Sequence, residues 1–209
     1  MQPTFIDWSY TEKPDPLCGS GATWSERVLA YSFAIFVTVM LMRYYESIDS
    51  PLISGWCFWA MVGVTFDIAG GVVANMLNSC KRFYHAPLQG GEAGTVRTLK
   101  NPIAFTALHV HPIIVSLIFG GEIIVGITWY VLLFMSAAIT YVFPLYLQRP
   151  VASAFVVLSV MGSLYGPSYP EGLEWFVPCL FLKIVLGHGV QEEPYRPIPS
   201  SGRREGISI

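Results

Sequence analysis

Long apolar runs alternate with short polar segments along this chain. A membrane-spanning helix needs about 20 predominantly apolar residues, at about 1.5 Å rise per residue. Six runs meet or approach that length and are predicted to be transmembrane helices: 28–42, 52–78, 102–120, 122–142, 151–166 and 173–190. The pattern predicts an all-α fold, a polytopic integral membrane helix bundle. Five spans are the alternative, if the third and fourth are partly re-entrant.

The bundle is predicted to occupy residues 23–190, with a polar segment on each side of it. Thr23 and Glu26 have capping-box spacing and mark the beginning of the first span. Residues 1–22 are polar and proline-punctuated, and we expect a cytosolic lead-in there. Residues 191–209 are rich in Pro, Ser, Gly and charge, which is typical of a flexible tail.

The distribution of lysine and arginine predicts the orientation. With six spans, both termini and the loops after spans two and four lie on one side of the membrane. That side has ten of the basic residues: Lys13, Arg27, Lys81, Arg82, Arg97, Lys100, Arg149, Arg196, Arg203 and Arg204. Because cytoplasmic loops are enriched in Lys and Arg, both termini are predicted to face the cytosol.

Composition supports the membrane class and limits the partners. The chain has 209 residues, of which 53% are hydrophobic and 12% are charged, whereas soluble domains have roughly 25% charged residues. A net charge of −2 argues against a nucleic-acid partner. The expected partners are the lipid bilayer and a lipophilic small molecule, with a homo-oligomer or pathway enzymes as further candidates. We expect the endoplasmic reticulum in a eukaryote and the inner membrane in a bacterium.

Span two contains a polar stripe. Side chains three or four residues apart share a helix face, so Asp67, Gly71, Asn75 and Asn78 lie on one side of it. An ionisable residue inside the membrane is costly and is by default a functional candidate. The alternative is that these polar groups only hydrogen-bond to neighbouring helices.

Three ionisable residues from three spans are predicted to lie at one depth. The helical rise places Asp67, His109 and Lys183 within roughly 5 Å of each other along the membrane normal. They could neutralise one another or form a proton-transfer site. His111 is expected to point away and to bond a backbone carbonyl, since residues two apart on a helix diverge by about 200°. A metal site at H-V-H-P is therefore not expected unless Pro112 distorts the turn.

The other candidates are a carboxylate and several aromatic residues. Glu122 heads span four, where it is either a catalytic acid or a complement to the positive helix N-terminus. Aromatic side chains in the spans could form the wall of an apolar pocket, or belong to the core and the interface belts. The substrate-binding candidates are Asn75, Lys183, Trp59, Tyr130 and Tyr165. The four cysteines lack zinc-ligand spacing, so no structural metal is expected. The sequence has no nucleotide or metal motif, and no cofactor is expected either.

Span five resembles one helix of a known family. Arg149-Pro150 followed by S-V-M-G-S-L-Y-G (Ser159–Gly166), with Glu122 heading the preceding helix, is similar to the emopamil-binding family. That family contains membrane-embedded sterol isomerases and sterol-binding proteins of the endoplasmic reticulum. The resemblance implies a sterol-like ligand and isomerase chemistry. The family's isomerases carry a histidine and a glutamate on an earlier helix, whereas span two here has Asp67 without a neighbouring histidine.

These features predict a membrane-embedded acid–base enzyme without a cofactor. It would be an isomerase or cyclase acting on a lipophilic terpenoid, sterol-like or polyketide substrate in a biosynthetic pathway. Asp67 and Glu122 would be the acids, His109 the acceptor or relay, and Asn75 a positioning donor. The alternatives are a non-catalytic lipid-binding or scaffold subunit and a small proton-coupled transporter.

Overall fold

A computed structural model describes residues 4–9, 14–88, 90 and 94–197 of the chain. In chain order these residues form β1 (Thr4–Ile6), α1 (Trp24–Ser47), a 3-10 turn (Pro51–Ile53), α2 (Cys57–Met76), α3 (Asn78–His85), α4 (Gly94–Lys100), α5 (Pro102–Leu108), α6 (His111–Phe119), α7 (Ile123–Val142), α8 (Leu145–Tyr165), α9 (Phe176–Phe181) with its π-helical continuation (Leu182–His188), and β2 (Tyr195–Pro197). The all-α helix bundle predicted from the apolar runs is confirmed.

The described part of the chain has five helical segments long and apolar enough to cross a membrane: α1, α2, α5 with α6, α7 and α8. The sixth predicted span, Phe176–His188, is shorter. Five crossings alone would leave the two ends of the chain on opposite sides. Yet β1 and β2 pair antiparallel, with Thr4 opposite Pro197. The short segment therefore returns the chain to the side on which it began.

Several predicted spans have different boundaries, and span three is interrupted. Span two ends at Met76, because Leu77 takes an extended backbone conformation before α3 begins. Span five begins at Leu145 and contains Pro150 inside α8. Span three is broken at His109–Val110 into α5 and α6, and a proline occupies the first turn of each of these helices. Proline fits a first helical turn because no backbone N–H is needed there.

The core lies between α2, α7, α8 and the α9–π segment. Its most buried apolar side chains include Met61, Ile68, Leu133, Leu180 and Ile184. The outer faces of α1, α7 and α8 instead expose large apolar side chains such as Phe36, Val142 and Leu158. An apolar exterior of this extent is the surface that a bilayer covers, since lipid tails are as apolar as leucine.

Two basic residues after span two are buried rather than solvated. Arg82 donates from Nε to the carbonyl of Asp7 at 2.9 Å and from Nη1 to that of Ser20 at 2.7 Å. Lys81 donates to the carbonyl of Val190 at 2.7 Å. Each buried cation is thus held by backbone oxygens, which reduces the cost of removing it from water.

These contacts build a small folded cap on one end of the bundle. It consists of β1, residues 14–22, α3 and residues 189–197, and we call this the cap end. Residues 191–197, which the sequence assigned to a flexible tail, are ordered here and include β2. The remainder of that predicted tail, 198–209, lies outside the described residues.

The pairing of β1 with β2 predicts that both ends of the chain label from one side of the membrane. Single cysteines at the exposed positions Ser9, Glu193 and Ser54 would be probed with a membrane-impermeant maleimide, in intact cells and in inverted vesicles. We expect Ser9→Cys and Glu193→Cys to react in inverted vesicles and Ser54→Cys in intact cells. Labelling of Ser9→Cys and Glu193→Cys in different preparations would contradict this topology.

Candidate functional site

Asp67 on α2 forms an ion pair with Lys183 of the π-helical segment. The Lys183 Nζ donates to Asp67 Oδ1 at 2.8 Å. The lysine side chain is 7% exposed and the aspartate side chain is 47% exposed. A buried ammonium group requires a counter-charge, and Asp67 supplies it. Because about half of the Asp67 side chain is uncovered within an apolar span, the pair opens onto the outer surface of the bundle.

Gly71 and Asn75 position the lysine. A Cβ at Gly71 would lie 2.7 Å from Lys183 Cε and 2.9 Å from Cδ, so the lysine stem crosses α2 where a side chain is absent. Asn75 Nδ2 donates to the Lys183 carbonyl at 3.1 Å. Asp67, Gly71 and Asn75, which form the predicted stripe, thus all contact one residue, Lys183. Asn78 does not join it, because its Oδ1 accepts from the Tyr195 backbone N–H.

His111 is the second partner of Asp67. Its Nε2 lies 3.3 Å from Asp67 Oδ2. The prediction that His111 points away and bonds a carbonyl is wrong, because it assumed a continuous helix. The backbone at His109 leaves the helical conformation, with φ −84° and ψ 62°. The helix restarts at His111 with Pro112 in its first turn, and the restart turns His111 towards α2.

His109 lies beside the pair without bonding to Asp67. Its Nδ1 donates to the Phe105 carbonyl at 2.8 Å, and its ring centre is 5.4 Å from that of His111. A carbonyl oxygen only accepts, so Nδ1 carries the proton and Nε2 of the neutral ring has the lone pair. The structure therefore brings Lys183 and His111 to Asp67 and leaves His109 one ring away.

An exposed face of α2 leads from the far end of the bundle to Asp67. Trp59, Gly63 and Asp67 follow one another at four-residue spacing and share this face, which we call the open strip. Trp59 is 72% exposed, and a Cβ at Gly63 would meet nothing within 4 Å. The half-exposed carboxylate therefore lies at the end of an otherwise apolar strip facing the lipid.

The other candidates lie apart from this cluster. Glu122 is exposed at the N-cap of α7, at the end of the bundle opposite the cap. Tyr165 is 81% exposed at the C-terminal end of α8. The Tyr130 hydroxyl donates to the Ala107 carbonyl at 2.9 Å, which stabilises the end of α5 next to the helix break.

Within the described ranges, no three His, Cys, Asp or Glu side chains form a group that could hold a metal ion. No family model, curated protein or solved structure matches the chain. The resemblance to the emopamil-binding family stays a prediction.

The close contact of Gly71 with Lys183 predicts that Gly71→Ala displaces the lysine from Asp67. We expect the free energy of unfolding in mixed micelles, followed by circular dichroism, to fall by about 1–3 kcal/mol. Gly63→Ala on the same helix is the matched control. It adds the same methyl group to open space and should change the free energy by less than about 0.5 kcal/mol. Equal effects of the two substitutions would show that the lysine contact has no energetic importance.

Proposed function

We propose that this protein is a membrane-embedded acid–base enzyme, an isomerase or cyclase, that takes a lipophilic substrate from the bilayer. The observation that carries the proposal is Asp67, which is paired with Lys183 and His111 and has about half of its side chain exposed on the outside of an apolar span. Acid–base catalysis requires a proton donor and an acceptor within hydrogen-bond reach of the substrate. Here a carboxylate, an ammonium and an imidazole meet at one opening.

Asp67, Lys183 and His111 have different roles in the proposed reaction. The Lys183 ammonium stabilises the negative charge of Asp67, which leaves the carboxylate as the proton acceptor. His111, once protonated, is the proton donor, because its Nε2 lies at the same opening. Removing a proton from one carbon and adding one at another shifts a double bond, or starts and ends a cyclisation. The proton that Asp67 takes up can then pass to His111 across the 3.3 Å contact, which restores both groups for the next turnover. Only proton transfers are involved, so the double-bond shift neither oxidises nor reduces the substrate.

The open strip favours a substrate with an extended apolar skeleton. Its apolar part is contributed by an exposed tryptophan and a glycine, and Ile114 of α6, which is 39% exposed, adds apolar surface on the helix that carries His111. A terpenoid, sterol-like or polyketide molecule fits this surface, and the resemblance of span five to sterol-binding proteins favours the same class. The proposed location is the endoplasmic reticulum, or the inner membrane in a bacterium.

A proton-coupled transporter is the second candidate. Transporters often bind ions where helices are interrupted near the middle of the membrane. Here the break between α5 and α6 meets the π-helical segment at Asp67. The lateral exposure of the carboxylate favours the enzyme, because a transported ion needs an aqueous route rather than an opening to lipid.

The proposal predicts that substitution of Asp67 abolishes the acid–base activity. The protein in lipid nanodiscs would be incubated with a lipid extract of its host in D2O. Mass spectrometry would then detect lipophilic products that have gained solvent deuterium. We expect Asp67→Asn to lower this incorporation by at least about 100-fold, the scale of an acid–base contribution.

Glu122→Gln provides the control for Asp67→Asn, since it also removes one carboxylate from a span but at the far end of the bundle. Incorporation by this variant should equal that of the unsubstituted protein. Undiminished incorporation by Asp67→Asn would refute the enzyme proposal.

A further inference from the structure

All four histidines of the chain form one row that leads from the cap end to Asp67. The ring centres of His109 and His111 are 5.4 Å apart. The ring of Phe105 follows, 4.5 Å from His109 and 3.7 Å from His188. His85 continues the row, with its ring centre 5.8 Å from that of His188. Four different segments of the fold supply these histidines, so helix periodicity alone does not explain their alignment.

His188 is the member of the row that packing explains least. It is 1% exposed, and neither ring nitrogen has a hydrogen-bond partner among the described residues. Buried polar atoms are almost always paired, and an unpaired one costs about 1–3 kcal/mol. Its ring stacks on Phe105 and meets the edge of Tyr84. A phenylalanine would make the same contacts, so the two nitrogens indicate a role other than packing.

His85 connects the row to the aqueous side. Its Nε2 donates to the His188 carbonyl at 2.9 Å. It lines a cavity of about 360 Å³ at the cap end, together with Arg97 and Tyr141. Burial, with a smaller effect from the Lys81 ammonium, lowers the pKa of His85 to about 4. The ring is therefore neutral at pH 7 and has a lone pair on Nδ1.

The membrane end of the row reaches the proposed catalytic cluster. His109 holds its Nδ1 proton against the Phe105 carbonyl, which leaves Nε2 as the acceptor. His111 has Nε2 at Asp67, while its buried Nδ1 has no partner among the described residues. Between the two halves of the row stands the Phe105 ring, which neither donates nor accepts a proton.

We propose that the histidine row carries protons between the aqueous cap end and Asp67, with the Phe105 ring as the barrier that limits their passage. A neutral imidazole takes up a proton on one nitrogen, from water or from a neighbouring imidazolium, and releases the proton held on the other. Only N–H and O–H bonds form and break, and the positive charge moves with the proton. The biological role of such a row rests on the proposed function, because exchange with water through the row would let Asp67 and His111 recover their starting protonation states between turnovers.

The row can be followed by solid-state NMR of the full chain in lipid bilayers, labelled with ¹⁵N in histidine. Each of the four rings is assigned by a single substitution, and the exchange rate of each ring with water is measured without substrate. Phe105→Ala should raise the exchange rate at His109 by about tenfold or more. Phe119→Ala is the matched control, because Phe119 has the same 7% exposure in the other half of span three. An unchanged exchange rate at His109 in Phe105→Ala would refute the proposal that the Phe105 ring limits proton passage.

His188→Phe tests the route itself, since it preserves the stacking on Phe105 and removes both ring nitrogens. Exchange at His109 should fall by about tenfold or more, while the His85 signal stays unchanged and reports an intact fold. Undiminished exchange at His109 would show that water arrives through the membrane-facing opening, and the row would be refuted. The enzyme proposal is judged separately by deuterium incorporation with Asp67→Asn, so either proposal can fail while the other stands.

Discussion

An ammonium group cannot remain inside a membrane bundle without a counter-charge, and the pairing of Lys183 with Asp67 meets this constraint. The lysine stem needs the gap at Gly71, and its carbonyl is bonded by Asn75. The helix break in span three then brings His111 to the same carboxylate. Three segments of the chain, α2, α6 and the π-helical segment, thus meet at one ion pair, and the helix break in span three is explained by its contact with that pair.

The same pair connects stability to function. A buried ion pair contributes little to stability compared with well-packed apolar residues, because both charges must be desolvated. Two apolar side chains would satisfy the packing of α2 against the π-helical segment. The pair is charged instead, with the Asp67 side chain about half exposed, and the proposed proton chemistry rests on this feature. The neighbouring open strip is the exposed apolar surface that leads to this charge.

Regular geometry explains which features the sequence could predict. The spans follow from apolar length, and the meeting of Asp67 with Lys183 follows from depth, because rise per residue is nearly constant. The direction in which a side chain points is harder to predict, because one break in a helix changes the orientation of all residues that follow it. His111 was misplaced for this reason, with Pro112 as the visible but ambiguous signal. Proline marks a break or a first turn, and the sequence alone does not distinguish them.

Burial of charge was equally hard to foresee. Charge counting treats every lysine near a span as a loop residue, yet Lys81 is 2% exposed. Its partners are two backbone carbonyls and, at 3.7 Å, the Glu192 carboxylate, all from a distant part of the chain, and they leave no pattern in the sequence. The pairing of β1 with β2 escaped prediction as well, since three-residue strands have no recognisable periodicity. The unpaired His188 had one available signal, a histidine at the end of an apolar span.

The environment of Lys81, a buried cation of the cap, changes while the chain is being synthesised. When α3 emerges from the ribosome, the backbone of residues 187–190 that will bond Lys81 has not yet been made. At that stage the lysine is a hydrated positive charge and can hold the second span in its orientation. Once the last span is inserted, the same charge is withdrawn from water and fastens the new segment. Lys81 therefore acts first as a topological signal and later as a hydrogen-bond donor that holds the last segment in place.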